Sequence, residues 1–145
     1  MTRLALLVNL ATTLAMVGLI WFVQVVHYPL FARVGAAGFP AFEREHSDLT
    51  TWVVAPLMLA ELGSALWLAL RPPAGVPPVW LWVGALLCGV VWLATAFLSV
   101  PQHGVLAGGF DERAWRLLVN TNWVRTVAWS ARGLLMLWVI DRTRR

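Results

Sequence analysis

The chain has 145 residues, of which 60% are hydrophobic and only 12% are charged. Soluble globular domains carry about 25% charged residues, so this composition argues against a soluble protein and favours an integral membrane protein. The net charge of +4 comes from 11 arginines against 7 acidic residues. These arginines are scattered between apolar blocks and form no basic stripe of the kind that binds nucleic acid. We therefore expect the lipid bilayer, and no nucleic acid, as a partner.

Four apolar blocks divide the chain, and each is long enough to cross a bilayer, which takes about 20 residues. They cover residues 4–26, 49–70, 79–100 and 117–140. Segments rich in Gly and Pro separate them: GAAGFP at 35–40, RPPAGVPP at 71–78 and VPQHGVLAGG at 100–109. Asp111 in the stretch FDER is expected to cap the last helix. The sequence predicts one all-α transmembrane domain over 1–145, an integral membrane four-helix bundle that runs up-down-up-down.

Four spans place both termini and the 71–78 loop on one side of the membrane. The arginines near the two sides are equal in number, so the positive-inside rule gives only a weak preference. The compact basic tail DRTRR favours the side that carries the termini as the inner one. We expect a protein of the bacterial inner (plasma) membrane with both termini cytoplasmic.

The same topology places all three histidines at one membrane face. His27 ends the first block, His46 precedes the second and His103 follows the third. Glu43 and His46 have Glu-x-x-His spacing, so on a helix they share a face and could ligate one metal ion. Imidazoles with a carboxylate suit Fe, Cu, Zn or Ni, and two of the histidines could instead hold a haem iron.

The predicted metal ligands are thus His27, His46, His103 and Glu43, with a transition metal (Fe or Cu) or haem as the cofactor. Two alternatives stay open at this point. The same side chains could transfer protons or bind a ligand without a metal, or they could be interfacial histidines with a structural role, because their polar tips can meet water.

The fourth block carries polar residues on one helical face. Asn122, Arg125, Trp129 and Arg132 recur at steps of three, four and three, and an arginine at membrane depth usually faces the bundle interior. Arg132 and Glu61 lie at similar distances from the histidine face, so we expect a buried ion pair between them.

Arg125 lies nearer the histidine face, where it could hold an anionic or carbonyl oxygen of a ligand. The predicted substrate-binding residues around it are Asn122, Gln24 and Trp129. His27, His46, His103 and Arg125 are the predicted catalytic residues.

A first helix ending in VVHYPLF, the stretch GFPAFEREHS before the second block, and four spans in a short chain form a recognisable pattern. It resembles a family of small bacterial and fungal membrane proteins, mostly of unknown function, that includes the anthrone oxygenases. Those enzymes oxidise polyketide anthrones to anthraquinones. The resemblance carries over to His27 with Pro29 and to the polar stretch around His46, and it implies an oxidative enzyme.

Three functions compete on the sequence. The first is a membrane oxidoreductase, oxygenase-like, that acts on a hydrophobic aromatic or quinone-like small molecule. The second is a non-catalytic membrane protein that binds haem or metal or serves as an accessory subunit. The third is a small transporter that uses Glu61 and Arg132 as coupling charges, which would require an oligomer because four spans without an inverted repeat are few for a transporter.

Overall fold

The computed structural model describes residues 1–143. Over that range the chain is helical and contains no strand. Three long helices are α1 (Thr2–Arg33), α2 (Phe39–Leu70) and α3 (Pro78–Leu106), and each is long and apolar enough to cross a membrane by length and composition. The fourth helix, α4 (Glu112–Arg142), covers the predicted span 117–140, but it is more polar than the others and is not among the helices apolar enough to cross a membrane by this measure. These helices indicate a membrane protein.

Helices α1 and α3 each contain one π-helical turn, at Val23–His27 and at Thr95–Ser99. Each turn ends two residues before a proline, Pro29 in α1 and Pro101 in α3. Proline lacks an N–H group and its ring clashes with the carbonyl four residues earlier, and a wide turn ahead of it relieves both problems. The helices therefore continue through these prolines. The stretch 100–109, which the sequence pattern predicts to be a separator, is helical as far as Leu106.

The four helices pack side by side, with α1 and α3 each in contact with both α2 and α4. One apolar cluster joins the start of α1, the end of α2, the start of α3 and the end of α4, through Leu6, Leu68, Leu81 and Met136. We call this the terminal end. A second apolar cluster, which includes Phe31, Phe39, Leu106 and Leu118, joins the other ends of the same helices. We call this the histidine end.

Helix α4 begins at the histidine end with the predicted cap. The Ala114 backbone N–H donates to Asp111 Oδ1 at 2.7 Å, which confirms Asp111 as the N-cap residue. The polar face predicted on α4 is also confirmed, because Asn122, Arg125, Trp129 and Arg132 are all buried. Polar side chains that are buried between packed helices need hydrogen-bond partners from the neighbouring helices. Those partners form two networks.

Candidate functional site

Three helices bring the histidines to the histidine end. His27 is the last residue of the π turn in α1, and His103 lies in the helical segment that follows the π turn in α3. His46 lies in the early turns of α2. π turns occur often at functional sites because they change the direction of the side chains that follow them. Here one π turn ends at a histidine of the site and the other lies four residues before one.

The structure brings His27, His46 and His103 together. The Nε2 atom of His27 lies 2.9 Å from Nδ1 of His46, and their ring centroids are 4.6 Å apart. The rings of His46 and His103 are 5.4 Å apart. Thr50 Oγ1 lies 3.1 Å from the same His46 Nδ1 atom, and the edge of the Phe31 ring packs against His27 and His46.

A line of hydrogen bonds runs from Arg125 to Glu43 through Tyr28 and His103. The Arg125 Nη2 atom donates to the Tyr28 hydroxyl at 3.1 Å. That hydroxyl lies 3.0 Å from His103 Nε2, and His103 Nδ1 lies 2.5 Å from Glu43 Oε1. The line joins residues from all of α1, α2, α3 and α4.

The donors and acceptors of this line fix its direction. An ionised carboxylate only accepts hydrogen bonds, so the His103 proton belongs on Nδ1, facing Glu43. His103 Nε2 then accepts from the Tyr28 hydroxyl, and the Tyr28 oxygen accepts from Arg125. Every hydrogen bond in the line thus points from Arg125 towards Glu43.

Hydrogen bonds to neighbouring residues fix the positions of Arg125 and Tyr28. Arg125 donates through both Nε and Nη2 to Asn122 Oδ1, at 2.9 and 2.6 Å. Asn122 Nδ2 in turn donates to Gln24 Oε1 at 2.9 Å. The Trp115 indole N–H donates to the Tyr28 backbone carbonyl at 2.8 Å. These hydrogen bonds therefore fix the positions of the guanidinium and the phenol.

Glu43 is fully buried, yet among the described residues only one of its two carboxylate oxygens has a hydrogen-bond partner. Oε1 contacts His103 and accepts from Ser47 Oγ at 3.3 Å. Among the described residues, no hydrogen-bond partner faces Oε2. Burying a polar atom without a partner is costly, so Oε2 is a position at which a further hydrogen-bond donor would be stabilised.

The predicted metal ligands do not converge on one point. His27 and His46 turn their nitrogens to each other, and both nitrogens of His103 are engaged by Glu43 and Tyr28. Over residues 1–143, no group of three or more His, Cys, Asp or Glu side chains is arranged so that it could hold a metal ion. The arrangement fits hydrogen bonding among these residues better than ligation of iron, copper or haem, whose binding stays a prediction.

A second network lies deeper, between the histidine end and the terminal end. Arg132 Nε donates to Glu61 Oε1 at 2.7 Å, and Thr13 donates to the same oxygen at 2.7 Å. Arg132 Nη2 donates to Asn9 Oδ1 at 3.0 Å, and Nη1 donates to the Gly84 carbonyl. The structure thus brings Glu61 and Arg132 together as an ion pair that is bonded to all four helices.

Trp129 belongs to this deeper network and not to the histidine end. Its indole N–H donates to Glu61 Oε2 at 2.9 Å, and its side chain is buried. The predicted substrate-binding residues are therefore divided: Asn122 and Gln24 lie beside Arg125, whereas Trp129 completes the ion pair.

The sequence reasoning missed Tyr28, which stands at the centre of the site. It is the only tyrosine in a chain with 10 tryptophans and 6 phenylalanines, and it follows His27 directly. That isolated phenol, placed between a histidine and a proline, was the available signal.

No protein-family model, curated protein or solved structure matches this chain. The resemblance to the family of the anthrone oxygenases therefore stays a prediction.

Proposed function

We propose that the protein is an integral membrane enzyme that carries out acid–base chemistry on a hydrophobic substrate bearing a phenolic or carbonyl oxygen. Its four helices would cross the bilayer up-down-up-down. Three apolar helices support this placement, as do the two apolar clusters, which pair the starts of α1 and α3 with the ends of α2 and α4. The reacting groups lie at the histidine end.

The observation that carries the proposal is the position of the Tyr28 hydroxyl between Arg125 and His103. A proton leaving Tyr28 passes to His103 Nε2. The Arg125 guanidinium stabilises the phenolate that remains, and Glu43 stabilises the imidazolium that forms. This is the arrangement of a reactive group, a base and a residue that orients the base, which recurs in nucleophilic and acid–base enzymes.

In this proposal Tyr28 exchanges a proton with the substrate, and Arg125 holds the substrate oxygen as negative charge develops on it. His27 and His46 lie beside the Tyr28 ring, whose centroid lies 6.3 and 6.4 Å from theirs, and they share a hydrogen bond with each other. The side chain of His103 is 18% exposed, so the line of hydrogen bonds reaches the protein surface at this residue. The substrate would arrive from the lipid.

The reaction class we propose is oxidation of an aromatic ketone or quinol by dioxygen. Removal of a proton from an activated CH₂ group gives an anion that reacts with dioxygen, and loss of water then gives the carbonyl. For the CH₂ group the overall change is CH₂ + O₂ → C=O + H₂O, and for a quinol it is quinol + O₂ → quinone + H₂O₂, so atoms and electrons balance with dioxygen as the only oxidant. The resemblance to the anthrone oxygenases supports this class, and the acid–base line supports the first step.

Transport receives no specific support from the geometry. Both oxygens of Glu61 and all three donor nitrogens of Arg132 have partners. A coupling charge must exchange partners during transport, whereas this pair is saturated and ties the helices together.

We also propose the bacterial inner membrane with cytoplasmic termini, on the basis of the basic tail.

The experiment is a turnover assay in detergent or nanodiscs, with dioxygen consumption followed for a panel of anthrones and hydroquinones. Tyr28→Phe removes one hydroxyl and should lower the rate about 10²–10⁴-fold, the usual contribution of a general acid or base. Thr121→Val is the matched control, because it removes an exposed hydroxyl that only bonds the Leu117 carbonyl of its own helix. Equal rates in wild type and Tyr28→Phe would refute the proposal.

A further inference from the structure

A groove of about 650 Å³ lies at the terminal end, opposite the histidine site. The first turns of α1, the loop between α2 and α3, and the end of α4 line it. Its walls are largely apolar and include Leu6, Leu7, Pro72 and Ile140. A volume of this size is typical of sites that hold a small molecule, which span about 300–1,000 Å³.

The polar lining of the groove is cationic and hydroxylated. Within residues 1–143, Thr2, Arg3 and Thr143 contribute it, and no Asp or Glu is among the lining residues. Two further arginines are neighbours in sequence of lining residues: Arg71 precedes Pro72, and Arg142 precedes Thr143.

Arg71 and Arg142 are kept at this end by aromatic partners. Their guanidinium groups lie over the rings of Trp67 and Trp138, with 5.5 and 5.3 Å to the ring centroids. A guanidinium over an aromatic face keeps its charge and its outward donors. Asp141, the acidic residue nearest to the groove in sequence, has an interaction of its own. The end as a whole therefore presents positive charge around an apolar groove.

We propose that this groove binds one anionic phospholipid. The phosphate would lie against Arg3 and the hydroxyl of Thr2, and an acyl chain would lie along Leu6, Leu7 and Ile140. Apolar walls favour a lipid over a soluble anion, and the positive charge favours an anionic head group over a zwitterionic one. Basic pockets at the ends of transmembrane helices bind such head groups in this way.

The test is native mass spectrometry of the protein in a neutral detergent, titrated with phosphatidylglycerol or with phosphatidylcholine. We expect tighter binding of phosphatidylglycerol. Arg3→Gln should weaken that binding about fivefold, the equivalent of about 1 kcal/mol for one arginine near an anionic lipid, and should leave phosphatidylcholine binding unchanged. Leu7→Glu, which places a carboxylate on the apolar wall, should abolish the preference.

Arg116→Gln is the matched control, because Arg116 is exposed at the opposite end and pairs with Glu112 on its own helix. It should bind both lipids as the wild type does. The proposal would be overturned by equal affinity for the two lipids, by an equal loss in Arg116→Gln and Arg3→Gln, or by displacement of phosphatidylglycerol with inorganic phosphate. Circular dichroism checks that each variant is folded, and the two groove variants provide independent tests.

Discussion

Glu61 and Arg132 meet inside the helix assembly with 2.7 Å between Oε1 and Nε, and each side chain is only 1% exposed. All of their charged atoms have partners. Glu43, the other buried carboxylate, has one oxygen without a partner among the described residues. This contrast separates a saturated network that holds the helices together from a network in which one buried acceptor oxygen has no partner among the described residues.

Removing one partner of the saturated pair should destabilise the protein strongly. Arg132→Met leaves the Glu61 carboxylate buried without its cation, which we expect to cost about 3–5 kcal/mol. Unfolding in mixed detergent, titrated with a denaturing detergent, measures the loss. Arg116→Met is the control, because it breaks an exposed pair whose contribution is about 0–1 kcal/mol.

The double variant Glu61→Met/Arg132→Met should recover much of the stability lost in Arg132→Met, because no charge is then left unpaired. A loss in Arg132→Met no larger than in the exposed control would show that the ion pair does not hold the helices. Unchanged stability combined with abolished substrate flux would instead favour the transporter.

Glu43→Gln should impair turnover without unfolding the protein. The amide no longer favours a proton on His103 Nδ1, so the acceptor that faces Tyr28 is lost in part of the population. We expect the rate to fall about 10²–10⁴-fold, with little change in KM. Glu45→Gln is the control, because Glu45 is an exposed neighbour on the same helix. Equal kcat values in the two variants would remove Glu43 from the mechanism.

Arg125→Lys keeps the charge but should still lower turnover, by about 10–100-fold. A lysine ammonium lacks the planar fork that bonds Asn122 and Tyr28 together. Arg113→Lys, at an exposed position near the same end, should behave as wild type. A fully active Arg125→Lys variant would mean that charge alone is needed and that the orientation of the guanidinium is not.

Gly133 allows α1 and α4 to approach closely. A Cβ atom at this position would lie 3.1 Å from Val17 Cγ2, so Gly133→Val should cost about 1–3 kcal/mol through overpacking. At Gly63 a Cβ would meet nothing within 4 Å, and Gly63→Val should be much better tolerated. Thermal unfolding of the two variants measures the difference in stability. Equal midpoint temperatures would show that α1 and α4 are not in close contact at Gly133.

The parts of this structure that hydropathy governs could be predicted from the sequence. The apolar blocks predicted where long helices lie, and the requirement to pair a buried charge predicted Glu61 as the partner of Arg132. The capping role of Asp111 followed from the local chemistry of helix starts. The proximity of the three histidines followed from the alternating direction of the apolar blocks, which places the end of the first, the start of the second and the end of the third at the same membrane face.

The side-chain contacts within the site could not be predicted in the same way. A π turn includes an extra residue, which rotates everything after it by roughly 100° relative to a regular α-helix. Regular spacing therefore did not reveal that Tyr28 faces His103 and Arg125. The Glu43–His46 spacing suggested a shared ligand, whereas the contact of Glu43 is with His103 on another helix. A proline follows each wide turn, but Pro56 lies inside α2 without one, so proline alone does not predict such a turn.

The hydrogen-bonded state of Tyr28 is the most direct test of the account. The chain has one tyrosine, so protein labelled with ¹³C at the tyrosine ring carbon that bears the hydroxyl gives one resonance, which reports the bonds of that oxygen without any substrate. We predict that Arg125→Gln and His103→Phe each shift this resonance, whereas Arg113→Gln does not. A resonance unchanged in both site variants, in protein shown to be folded, would contradict the line from Arg125 to Glu43 and the acid–base function built on it.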